Sequence, residues 1–158
     1  MAENPIRVGV VSDTHGLVRP QLVEAMRGSD LIVHAGDIGG VEVLEALRAI
    51  APLHAVRGNN DRGAWAEPIP VSEVVSVAGR HLFLLHDIAE LDLDPEAAEL
   101  DAVITGHSHR PEAELRGSVL FLNPGSAGPR RFTLPITAAE LLLYRDRIEH
   151  RHIQLQDT

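Results

Sequence analysis

Asp13 and His15 stand two apart where the apolar run "IRVGVV" (6–11) gives way to "SDTHG". Asp-Thr-His-Gly is good turn chemistry, so the pair gains meaning only if its pattern recurs. It recurs four times: Gly36-Asp37, Gly58-Asn59-Asn60-Asp61, His86-Asp87 and Gly106-His107-Ser108-His109 each follow an apolar run. Residues i and i+2 of an extended chain project the same way, which lets Asp13 with His15, and His107 with His109, approach one point. Neighbouring glycines (Gly16, Gly36, Gly58, Gly106) permit tight turns there. The donor set is two carboxylates (Asp13, Asp37), one amide oxygen (Asn59) and four imidazoles (His15, His86, His107, His109). Such a mixed N/O set suits Mn²⁺, Fe or Zn²⁺ better than Ca²⁺, which wants oxygen throughout. Seven ligands are too many for one ion and suit two if a carboxylate bridges them. Two ions roughly 3.5–4 Å apart are a recurrent device for cleaving phosphoesters. Two divalent ions less two carboxylates leave about +2, enough to hold a phosphoryl anion and a hydroxide.

The elements that must position these residues are readable from apolar spacing. Strands are expected at 6–11 and 30–37 and a third strand with its exit loop over 52–61, with helices over 20–28 and 41–50. Pro20 opens the first helix and Gly28 closes it. This βαβαβ order predicts a parallel sheet with helical crossovers. The second half predicts a hairpin over 72–87 around Ala78-Gly79, a short helix at 95–100 and a strand with loop at 101–109. A hairpin over 113–126 turning at Gly117 and a terminal hairpin over 137–155 complete it. The expectation is one α/β domain, residues 1–158, with a mostly antiparallel second half. In open α/β sheets, ligands sit at the carboxyl ends of strands, where these motifs fall.

Composition narrows the function classes. A net charge of −9 disfavours broad nucleic-acid or anionic-membrane binding. No cysteine is present, so disulfides, Fe–S clusters and thiolate zinc sites are excluded. "MAENPIRVGVVSD" has neither a basic n-region nor a long apolar h-region, and no run could span a bilayer. A cytoplasmic protein is the expectation.

In order, the motifs Asp13-x-His15, Gly36-Asp37, Gly58-Asn59-Asn60-Asp61, His86 and Gly106-His107-Ser108-His109 resemble the calcineurin-like metallophosphoesterase superfamily. "VVSDTHG" (10–16) and "NPGS" (123–126) are similar to its small bacterial and archaeal phosphodiesterase branch. The resemblance spans nearly the whole chain and implies two packed mixed β-sheets flanked by helices. By the same resemblance, Asp13, His15, Asp37 and His109 hold one metal and Asp37, Asn59, His86 and His107 the other, with Asp37 bridging. Asp37, Asn59 and His107 then act through the metals, and the nucleophile is a bridging hydroxide. Manganese is the first choice of ion, with Zn²⁺, Fe and Ni²⁺ as alternatives. The implied partner is a small phosphoester, and a homo-oligomer stays open.

Two positions depart from the family pattern. Asn60 stands where many of its phosphatases carry a histidine that protonates the leaving group, and Asp87 replaces the usual glycine. Asn60 favours a phosphodiesterase over a phosphomonoesterase. A further alternative is an inactive interaction scaffold, resembling the retromer subunit of the superfamily, but here every ligand position is filled. Outside the ligand set, His34 reads as a packed or ligand-supporting histidine, and His54, His81, His150 and His152 as strand surface. Asp61 orients a ligand or makes a turn, Arg57 and Arg110 bind phosphate or make surface ion pairs, and Trp65 forms a lip or packs.

Overall fold

The computed structural model describes residues 4–155. β1 (Ile6–Val11), α1 (Pro20–Met26), β2 (Leu31–His34), α2 (Val41–Arg48) and β3 (Leu53–Ala55) form the expected βαβαβ unit. β2 lies parallel to both β1 and β3. β9 (Thr137–Leu143) and β10 (Ile148–Gln154) make the terminal hairpin and extend this sheet to the order β10-β9-β1-β2-β3. The helices bury residues at helical spacing, Leu22 and Met26 from α1 and Val43, Leu44 and Leu47 from α2, against Val11 and Ile32.

The second sheet has the order β4-β5-β6-β8-β7, built from β4 (Ser72–Val77), β5 (Arg80–Leu85), β6 (Ala102–Ile104), β7 (Pro111–Arg116) and β8 (Val119–Pro124). Both hairpins form as expected, and Ala78-Gly79, both at positive φ, make the turn between β4 and β5. The middle of this sheet corrects the antiparallel expectation, because β5, β6 and β8 pair in parallel. Hairpins are local and visible in sequence, whereas the three-residue β6 joins two of them through partners distant in the chain.

Alternation along the strands builds two further cores. Val8, Val10, Val33, Leu82, Leu84, Ile104, Leu122 and Leu141 pack between the sheets. Phe83, Leu85, Val103 and Val119 pack on the outer face of the second sheet with Leu100 and Leu91. The helix expected at 95–100 is instead a series of turns. The Asp94 carboxylate accepts from Glu96 N–H and Ala97 N–H, one turn forms, and Glu99 leaves it at φ 59° so that Leu100 enters the core. An unexpected 3₁₀ turn occupies Ile88–Glu90. This outer face therefore carries turns where the first sheet carries helices. No helix among the described residues is long and apolar enough to cross a membrane.

Candidate metal centre

The carboxyl ends of the parallel strands from both sheets meet at one edge. Backbone bonds stitch the loops together: Asp13 N–H donates to Gly36 O at 2.9 Å, His15 N–H to Asp37 O at 3.0 Å and Gly106 N–H to His86 O at 2.9 Å. Two glycines are required by proximity. A Cβ at Gly58 would run into Asp37 Oδ1, and one at Gly106 into Ser12 Oγ. The i, i+2 argument for extended pairs does not describe how the ligands converge. Asp13, His15, Asp37, His107 and His109 all lie at positive φ, between 47° and 73°. Left-handed backbone at non-glycine residues is costly and concentrates at functional sites. The segments that carry these candidate ligands are a set of enforced tight turns.

Asp13 is fully buried. Its Oδ2 accepts from Ser12 Oγ at 2.8 Å and from His107 N–H at 3.1 Å. Its Oδ1 has no hydrogen-bond partner and faces three imidazoles: His109 Nε2 at 3.4 Å, His15 Nε2 at 3.8 Å and His86 Nε2 at 3.9 Å. Asp37 accepts from Asn60 twice, and its Oδ2 also lies 3.3 Å from His86 Nε2 and 3.7 Å from His15 Nε2. His86 Nδ1–H donates to Ala35 O at 2.8 Å, which leaves Nε2 as the lone-pair nitrogen directed at the carboxylates. His15 Nε2 and His86 Nε2 are both buried without a hydrogen-bond partner.

Burial opposes ionisation of Asp13, but His109, His86 and Ser12 outweigh it and hold the carboxyl below its usual range. Asp37 is likewise lowered, as His86 and the Asn60 backbone overcome desolvation. Desolvation works against charge on His86, and the two carboxylates reverse it and raise that imidazole. Ionised carboxylates facing unpartnered imidazole nitrogens form a cavity of donors suited to a cation. Asp13, His15 and His109 form one group with ligand atoms all within 4.8 Å, and Asp13, Asp37 and His86 form a second. The residues fit a transition metal of N/O preference.

Five of the seven sequence-derived candidates are thus brought together. His107 and Asn59 sit at the rim on the His86 side. The His107 ring meets His86 edge-on at 5.1 Å between centroids, and its Nε2 lies 3.8 Å from Asp87 Oδ2. Asn59 is exposed and lines a cavity of about 240 Å³ with His86 and Arg57.

The surrounding shell gives roles that sequence reading left open. Asp61 orients neither Asn59 nor an imidazole. Its carboxylate accepts from Ile38, Gly39 and Gly58 N–H at 2.9–3.0 Å and ties the Asp37 turn to the Asn59 turn. His34 is fully buried; its Nδ1 accepts from Gly36 N–H, so Nε2–H donates to Thr14 Oγ1, which donates to Ile38 O. Desolvation pushes its pKa down to about 4, which keeps it neutral. Asn123 donates to Gly106 O and Ser108 Oγ, and Ser126 Oγ donates to Asp13 O, so "NPGS" buttresses two ligand turns. His152, expected on the surface, is half-buried and donates to Asn123 O at 2.7 Å. Trp65 packs in the helix-side core, Arg57 Nε is buried without a partner, and Arg110 is exposed. Sequence reading missed Asn60 as the partner of Asp37; its amide donors were the available signal.

Comparison with known proteins agrees with this geometry. Residues 6–145 match the model of the calcineurin-like phosphoesterase superfamily domain. A probable metallophosphoesterase of Methanothermobacter thermautotrophicus is 34% identical over 140 residues, covering 81% of each chain. An archaeal phosphodiesterase of solved structure has a TM-score of 0.79 at 25% identity, covering 94% of this chain and 99% of that one. In fold alone, zinc-complexed Vps29 of Entamoeba histolytica is also similar, with a TM-score of 0.69 at 23% identity over 95% of this chain and 99% of its own. Matched over most of its length, and with its buried donors gathered at one sheet edge, the chain belongs to the calcineurin-like phosphoesterase superfamily.

Proposed function

We propose that the protein is a dinuclear metal-dependent phosphodiesterase. The observation that carries the reading is the set of buried, unpartnered donor atoms, Asp13 Oδ1, His15 Nε2 and His86 Nε2, which face one another across ion-sized gaps. Asp13, His15, Asp37 and His109 would hold one ion, and Asp37, Asn59, His86 and His107 the other, with Asp37 shared. Its Oδ2 lies 3.7 Å from His15 Nε2 and 3.3 Å from His86 Nε2, which supports this sharing. Bound divalent ions, Mn²⁺ first among them, would supply a water of lowered pKa and positive charge for the phosphoryl oxygens.

The chain's own part is positioning and electrostatics, with no Ser or Cys nucleophile. Asn60 and the Ala35 carbonyl orient Asp37 and His86, while Ser12 and the His107 N–H orient Asp13. Asn60 gives one side-chain N–H to Asp37 and, as an amide, offers no acid to a departing alkoxide, which supports a diester with a leaving group able to depart unaided. The retained donor set favours an enzyme over an interaction scaffold. Protein reconstituted with Mn²⁺ is expected to hydrolyse bis(p-nitrophenyl) phosphate, to cleave alkyl phosphomonoesters more slowly, and to lose both activities on chelation. A metal-loaded protein with no turnover on any phosphoester overturns the reading.

A further inference from the structure

A cavity of about 490 Å³ opens beside His107 and runs along the outer face of the second sheet. Its volume falls within the roughly 300–1,000 Å³ typical of small-molecule sites. One end is formed by the Gly106–Ser108 turn and Asp87, which border the proposed metal centre. The far end is formed by Phe121 and Arg116, whose guanidinium carbon lies 4.3 Å from the ring centroid. Register explains the wall: Glu112 opposes Asn123, Glu114 opposes Phe121, and alternation puts Glu112, Glu114 and Arg116 on one face.

The charge of this wall selects its ligand. Arg116 is held by Glu114 through Nε and Nη2, each at 3.0 Å, so its charge is already met. Asp87 and Glu112 then leave the cavity net negative. A further phosphate is repelled there, while an uncharged ring gains contact with Phe121 and the stacked guanidinium.

We propose that this cavity seats the ester group retained on phosphorus, and that it takes an uncharged, ring-bearing alcohol of nucleoside size. The assignment rests on the phosphodiesterase reading and names its substrate class: a single-nucleoside or similar diester, not a polynucleotide. Binding a non-reacting part of the substrate beside the reacting centre is how such a pocket contributes specificity.

Three p-nitrophenyl diesters that share one leaving group test it: the methyl ester, the thymidine 5′ ester, and the thymidine 5′ ester carrying a 3′-phosphate. Loaded protein is expected to show a KM about tenfold lower for thymidine than for methyl, the scale of one aromatic contact. The 3′-phosphate raises KM again. Phe121→Leu erases the thymidine advantage, bringing the ratio of the methyl to the thymidine KM to about one. Glu112→Lys, an exposed change on β7, removes the penalty of the 3′-phosphate. Equal KM for methyl and thymidine, or variants that alter all three substrates alike, overturns the subsite while the phosphodiesterase reading stands. No turnover of any of the three overturns both.

Discussion

Asn60 holds both oxygens of Asp37, its backbone N–H donating to Oδ1 at 2.9 Å and its side-chain Nδ2–H to Oδ2 at 3.0 Å. The residue that cannot act as an acid thus keeps a buried carboxylate in one orientation. Groups that orient metal ligands typically change affinity by about 10–100-fold when removed. Asn60→Ala is therefore expected to weaken Mn²⁺ binding by about that factor, and Asn60→Asp to weaken it less, because the added negative charge favours the cation while the Nδ2 bond is lost. Calorimetric titration of both variants checks this, with His150→Ala as the control. Unchanged affinity in Asn60→Ala would mean that the backbone bond alone suffices.

The same residue sets the leaving-group response. General acid help is typically worth ~10²–10⁴ in rate, so without it the rate should depend steeply on leaving-group pKa. A series of aryl diesters of graded phenol pKa measures the slope. Asn60→His is expected to flatten the slope but also to lower metal affinity, because the Nδ2 bond to Asp37 is lost. A wild type already insensitive to leaving-group pKa would point to another proton donor.

Much of this site was legible because its chemistry is local. Asp13, Asp37, His86 and His109 each follow a short apolar run, and a strand end delivering a candidate ligand can be read from a few neighbouring residues. The helices were equally local, since Leu22 and Met26 repeat at a helical interval. What could not be read depends on distant partners. β6 joins two hairpins in parallel through residues far along the chain. The left-handed backbone at Asp13 and His15 is imposed by bonds to Gly36 and Asp37, not by local preference. At 95–100, Asp94 and Pro95 start a helical turn, but Glu99 leaves it in left-handed backbone and carries Leu100 into the core, a partner the local sequence does not name. Asn60 was read for the acid it lacks, and its role as a donor appears only once Asp37 is beside it.

Metal removal has a stability consequence. Asp13 and Asp37 lie close together among imidazoles and are held ionised. A ligand that binds only the native state stabilises it by about 2.7 kcal/mol at a hundredfold excess over Kd. Melts with Mn²⁺ and with chelator are therefore expected to separate by several degrees. Superimposable melts would contradict a filled native site.

His34 predicts an acid limit. Its pKa falls from the ordinary 6.5 to about 4 on burial. Between those values the unfolded chain binds the proton and the native one does not, so stability falls as pH drops from 6.5 towards 4. The difference is on the order of 3 kcal/mol at about 1.4 kcal/mol per unit. Denaturant unfolding of chelated protein at pH 7 and pH 4.5 measures it. His34→Gln should lose much of the pH dependence while being less stable at pH 7; an equal pH slope in both proteins would remove His34 as the cause.

The central claim is a pair of ions sharing Asp37, and metal stoichiometry tests it most directly. Elemental analysis after Mn²⁺ loading and gel filtration should find two ions per chain in the wild type. Asp37→Asn, which removes the carboxylate between His15 and His86, should lose most of both. At most trace metal in the wild type, or two ions still bound to Asp37→Asn, would contradict the account.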